Sequence, residues 1–292
     1  MIETILGAVV PVLLTASIGY GWARAGRGFD STALTLLVTD IGTPCLIVST
    51  FAKTAIPPAA FAQSAAAAVT ILLCFLAVGA VALHLAGLSL RTYLPAMSFP
   101  NTGNLGLPLA LYAFGPEGLS YAIVFFAFCS LSNFTLGQAI AAGTVNWRAI
   151  GRMPIIYAVV IGVALAAINR PLPLWLDNTL GLLSGITVPL MLLMLGVSLG
   201  KLSVAAFPRA FGLSLLRIGM GVVVGTTVTA LFGLDGAAKA ALIQQSAMPV
   251  AVFNYLFALR WNNQPEEIAG IVVVSTVTAI ATAPALLYFL LR

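Results

Sequence analysis

Long apolar runs separated by short polar turns repeat along the whole chain. A helix needs about 20 residues to cross the hydrocarbon of a bilayer. Ten segments meet that length: 3–22, 31–50, 62–86, 93–110, 119–140, 152–169, 175–199, 207–231, 237–258 and 268–290. The fourth and ninth differ from the rest. They carry glycine, proline and amide residues where a plain span would carry leucine or isoleucine. The opening stretch, residues 1–22, has no basic leader and no small-residue cleavage pattern, so it reads as a retained first span.

Three proline-centred patterns recur in order across the two halves. Pro11 pairs with Pro154, Pro44 with Pro189 and Pro100 with Pro249, at offsets of 143, 145 and 149. A duplicated unit of five spans has an odd number of crossings, so its second copy enters from the opposite side. The expected fold class is therefore an all-α membrane protein of ten transmembrane helices in two inverted five-helix repeats, residues 1–140 and 141–292, with helices 4 and 9 broken and crossing.

Composition agrees with a membrane setting. Hydrophobic residues make up 61% of the 292, and charged residues only 7%, against about 25% in an average soluble domain. The 13 basic and 8 acidic residues give a formal charge of +5. The basic residues stand singly in turns, without a cluster interleaved with aromatics, so nucleic acid is not an expected partner. They bear on topology instead. With the N-terminus outside, eight (Arg24, Arg27, Arg91, Arg148, Arg152, Lys201, Arg209, Arg260) fall inside and four (Lys53, Arg170, Lys239, Arg292) outside. That predicts a multi-pass inner-membrane protein with both termini outside. Arg217 lies within the eighth segment and reads as snorkelling to headgroups, with a cavity-facing role as the alternative.

Cys45, Cys74 and Cys129 sit in apolar runs without a CxxC, and His84 is the sole histidine, so no metal or cofactor is expected. A GxxxxGK[ST] phosphate loop is absent, which leaves no ATP-driven motor within these residues. Enzyme chemistry has only Asp40 and His84 to draw on, loosely placed. A carrier fits better.

The candidate site follows from the two broken segments. Around Pro100, Asn101, Thr102, Gly103 and Asn104, prolines remove N–H groups and glycines allow unusual dihedrals, so helix bonding is expected to fail. Freed N–H groups and helix N-termini can hold an anion. Gln244, Gln245, Ser246, Pro249 and Asn254 form the matching break. Asp40, four residues before Pro44, reads either as a proton-carrying group or as an N-cap for a helix restarting at Thr43. Ser130, Asn133 and Gln244 could add oxygen ligands for a coupling sodium ion.

The run Pro100-Asn101-Thr102-Gly103-Asn104-Leu105-Gly106-Leu107-Pro108 resembles the auxin efflux carrier family, as do Ala247-Met248-Pro249 with Phe253-Asn254 and the later Asn263-Gln264-Pro265-Glu266. The resemblance covers essentially the whole chain. It implies a scaffold of spans 1, 2, 6 and 7, a transport domain of spans 3–5 and 8–10, elevator-like motion and a homodimer. Its broader fold would be that of bile acid sodium symporters and sodium/proton antiporters. It also implies that Asn101 contacts substrate and that Pro249 is the second crossover proline. Family substrates are small organic anions, auxin or dicarboxylates such as malate or malonate. The short stretch 141–152, in place of a long hydrophilic loop, looks like that of a compact bacterial member. The alternative is a sodium-coupled symporter of the bile acid type.

Overall fold

The computed structural model describes residues 2–53, 57–143, 153–168, 172–204 and 206–291. Arg148, Arg152, Arg170 and Arg292, used in the topology argument, lie outside them, as does most of the 141–152 connection.

Among the described residues every element is helical apart from one isolated bridge. In chain order they are α1 (Ile2–Arg24), α2 (Ser31–Leu37), α3 (Thr43–Lys53), α4 (Pro58–Leu85), α5 (Leu90–Ser98), α6 (Leu107–Ser132), α7 (Gln138–Ala142), α8 (Pro154–Ile168), α9 (Leu174–Gly185), α10 (Thr187–Lys201), α11 (Phe207–Leu231), α12 (Gly236–Ser246), α13 (Val252–Arg260) and α14 (Pro265–Leu290). Wide π-type turns join α2 to α3 (Val38–Gly42), lead into α6 (Thr102–Gly106) and join α6 to α7 (Asn133–Gly137). Such turns admit an extra residue and collect at functional sites.

Among the described residues, seven helices are long and apolar enough to cross a membrane: Ile2–Arg24, Ser31–Lys53, Ala59–Leu85, Thr102–Ala142, Leu174–Lys201, Phe207–Leu231 and Pro265–Leu290. The expectation of ten transmembrane helices in two inverted five-helix repeats is corrected accordingly. The fourth and fifth segments do not separate into two plain spans. They run as one 41-residue helical stretch, Thr102–Ala142, kinked at Gly115, where φ is 66°. The sixth has a shorter apolar helix, Pro154–Leu165. The ninth is cut into α12, of 11 residues, and α13, of nine. A count of apolar residues cannot tell a continuous helix from a broken one, and that is why it gave ten. Seven spans among the described residues is an odd number, which puts the two ends on opposite sides of the membrane. This replaces the expectation of both termini outside.

Local signals place the helix starts. The Asp30 carboxylate accepts from the Thr32 and Ala33 N–H groups at 3.0 and 2.9 Å and caps α2. Ser89 accepts from the Thr92 N–H at the start of α5, and Pro265 occupies the first turn of α14.

Packing divides the helices into two groups. α1 lies along α10 so closely that a Cβ on Gly19 would meet the Leu193 carbonyl oxygen at 2.2 Å, and one on Gly196 the Ala16 carbonyl oxygen at 1.9 Å. α3 packs on α8 and α9, and α9 continues into α10. The second group joins α4, α5, α6, α11, α12 and α14. α1 touches α6 and α14 along an apolar seam of Val9, Val12, Leu105, Leu109, Ile280 and Ala283. Without a hydrophobic drive between helices in lipid, close approach of this kind is what holds them.

Candidate functional site

The two breaks meet. Phe99, Pro100 and Asn101 run antiparallel to Pro249, Val250 and Ala251, with the Asn101 N–H donating to the Pro249 carbonyl at 2.7 Å and the Ala251 N–H to the Phe99 carbonyl at 3.2 Å. Side chains satisfy part of what remains. Ser275 accepts from the Val250 N–H at 3.1 Å, and the Asn254 amide donates to the Phe99 carbonyl at 3.1 Å. Gln244 donates to the Gly106 carbonyl at 3.4 Å. Unpaired backbone in hydrocarbon costs several kcal/mol per group, roughly, so these bonds are what permit broken backbone at this depth.

A cavity of about 560 Å³ lies against the crossing. From the first break it takes Pro100, Asn101, Thr102, Gly103 and Asn104, and from the second Ala251, Val252 and Phe253. Thr39 and Asp40 come from the π-turn between α2 and α3, and Thr43 from the first residue of α3. Ser130, Asn133 and Phe134 come from the end of α6 and its π-turn, Met191, Met194 and Lys201 from α10. The space suits a small molecule with one or two apolar faces.

Two helix starts face this space. The turn beginning at Thr102 leads into α6, and α13 begins at Val252, and first-turn residues of both line the cavity. A helix N-terminus carries roughly half a positive charge. The Asn101 side chain, buried to 4% exposure, has an amide nitrogen with no hydrogen-bond partner. A buried donor left without a partner calls for an acceptor brought from outside the described side chains. Asp40 and Lys201 are the charged side chains of the lining, one of each sign.

The residues expected at the site divide between wall and interior. Pro100, Asn101, Thr102, Gly103, Asn104, Asp40, Ser130 and Asn133 line the cavity. Pro249 acts through its carbonyl on Asn101. Gln244, Gln245, Ser246 and Asn254 are buried behind the crossing, outside the lining. The Gln245 amide lies where a Cβ on Gly106 would come within 2.1 Å of it, and Ser246 returns its hydroxyl to the Leu242 carbonyl of its own helix at 2.6 Å. Asp40 sits within the π-turn and makes no cap to α3; its neighbour Thr39 donates to it at 3.2 Å.

Two cations escaped the sequence reading. Lys201 counted only as a loop charge, yet its Nζ donates to the Ser31 hydroxyl at 3.4 Å on the cavity wall. Arg217, read as snorkelling to lipid, is fully buried. Nothing in the linear pattern distinguishes the two fates of an arginine inside an apolar run.

The family model described as membrane transport protein matches residues 4–142 and 138–287. An uncharacterized transporter of Methanocaldococcus jannaschii is 28% identical over 191 residues, 60% of each chain. Another, of Methanothermobacter thermautotrophicus, is 25% identical over 198 residues, 65% of this chain and 64% of that one. The matched stretch thus spans less than two thirds of either relative.

Proposed function

We propose, from the premise that the chain belongs to the membrane transport protein family, that it is a secondary carrier of small organic anions. The observation that carries this reading is the pairing of two helix starts with the unpartnered Asn101 amide on one cavity wall. Fixed N–H dipoles favour negative charge and repel cations. A carboxylate is the anion such neutral donors fit, and the apolar remainder of the wall, Phe126, Phe134, Met191 and Met194, accepts a hydrocarbon or aromatic body. Auxin-like acids and short dicarboxylates both meet that description.

The carrier works by moving one helix group against the other. α1, α3 and α8–α10 stay fixed, while the group carrying the crossing slides along the seam beside α1 and takes the anion with it. The apolar seam supports this motion, because among the described residues no interhelical hydrogen bond crosses it. A second copy of the chain, packed through the fixed group, would anchor it.

The deciding measurement is uptake of labelled malate, malonate and indole-3-acetate into liposomes holding the purified protein, with Asn101→Ala alongside. Saturable uptake of one acid, lost in the variant, is expected. Uptake undiminished by Asn101→Ala would remove the crossing as the binding site.

A further inference from the structure

The buried arginine behind the crossing has no role in the site described above, and it is an expensive feature to keep. Arg217 is fully buried, and its Nε and Nη1 find no hydrogen-bond partner. The ion pairs among the described residues are Lys53 with Asp177 and Arg209 with Glu267, so no carboxylate neutralises it. Its Nη2 donates to the Ser246 carbonyl at 3.0 Å, and its guanidinium stands 4.4 Å from the centre of the Phe75 ring. A charge held in hydrocarbon without a counter-ion is rare and marks a functional group.

Ser246 is the last residue of α12, the helix that ends at the second break. That end carries the negative pole of the helix and carbonyls left without N–H partners. The sequence prepares the contact. Gly221 and Gly225 follow Arg217 at one-turn intervals on α11 and face the same residue. A Cβ on Gly221 would fall 2.2 Å from the Ser246 carbonyl oxygen, and one on Gly225 would fall 2.9 Å from the Ser246 Cβ. Only glycine lets α11 approach the broken end closely enough for Arg217 to reach it.

We infer that Arg217 is a resident cation that neutralises the broken end of α12 and thereby takes the place of a mobile coupling ion, so that the anion crosses without sodium. This rests on the anion-carrier reading. A negative helix end at this depth is the kind of place where carriers bind a mobile cation. Here the charge is covalently attached and travels with the crossing. It also helps to hold the substrate. Ser246 and Pro249 are three residues apart, which with the 3.0 Å contact to Ser246 bounds the guanidinium nitrogen at about 14 Å from the Pro249 carbonyl. For an anion bound at about 14 Å, with an effective dielectric near 20, one unit charge changes occupancy about sevenfold. Arg217 touches no substrate and is a positioning residue.

The test compares wild type, Arg217→Lys and Arg217→Met. The thermal midpoint of each in detergent is measured in sodium, potassium and choline chloride at one ionic strength, and carboxylate flux into liposomes is measured with and without sodium. The wild-type midpoint is expected to be the same in all three salts, and its flux independent of sodium. Arg217→Met is expected to keep or raise its midpoint, since replacing an unpaired buried charge with an apolar side chain removes a desolvation cost, yet to lose at least tenfold in flux. Arg217→Lys should recover part of that flux. A purely structural arginine would show the reverse, a lower midpoint with flux per folded molecule retained. Sodium-specific stabilisation of the wild type, or wild-type flux in Arg217→Met, overturns the inference. If no carboxylate is transported at all, the anion-carrier reading fails by itself, and the salt dependence of the midpoint, which needs no substrate, still decides on Arg217.

Discussion

Asn101 illustrates what one side chain contributes. Its backbone N–H is spent on Pro249, and its side-chain amide is left free at the cavity wall. A hydrogen bond to a charged group contributes about 1.5–3 kcal/mol. Asn101→Ala should therefore weaken carboxylate binding roughly ten- to hundredfold, read by isothermal calorimetry with the best transported acid, while the helix content stays unchanged. Asp40 and Lys201 face the same space from different elements. Both are exposed, so water screens them and their effects are small. Lys201→Gln should raise the apparent Kd about threefold and Asp40→Asn lower it by a similar factor, both differences shrinking in high salt. An Asp40→Asn variant that loses transport outright would instead assign the carboxylate an obligatory part in the cycle.

At the scale of elements, the decisive contacts are backbone against backbone. α1 and α10 are held by the fit of glycines against carbonyls, and a methyl group at Gly196 has no room, with the Ala16 oxygen 1.9 Å from where it would sit. Gly196→Ala should cost about 1–3 kcal/mol in overpacking and lower the thermal midpoint in detergent. Gly7, on α1, has nothing within 4 Å of an added Cβ. Gly7→Ala should be neutral or stabilising by about 0.5–1 kcal/mol, since alanine loses less backbone entropy in a helix. Equal effects of the two substitutions would remove the argument that close packing fixes this pair. The breaks in α5–α6 and α12–α13 were legible in the chain because proline and glycine interrupt apolar runs there. The antiparallel main-chain pairing between them was not, because it joins residues about 150 positions apart through backbone atoms that carry no sequence signature.

For the molecule as a whole, sliding of the crossing group past α1 makes a clear demand. Cysteines placed at Val12 and Ala283, both on the seam, in a background lacking Cys45, Cys74 and Cys129, should form a bond on oxidation that stops transport but leaves anion binding intact. Reduction should restore flux. Transport that continues after complete cross-linking would exclude relative motion at this seam. The same seam shows why the span count changed. The sequence supplied ten apolar runs, but two of those runs merged and two others do not form long spans, so seven long helices remain. The side assigned to each terminus changed with it.

The chain's chemistry alone determined that this is an all-helical membrane protein, with interruptions at Pro100 and Pro249, because apolar length, proline and glycine act locally and their effects are written in order along the sequence. The same local logic pointed to Asn101. Tertiary structure decided which polar groups face the cavity and which stand behind it: Asn101 and Asp40 on the wall, Gln245 and Arg217 in the interior. A side chain's surroundings in a bundle depend on helix rotation and on partners far away in sequence. An arginine in an apolar run therefore looks the same whether it snorkels to lipid or holds the end of a broken helix.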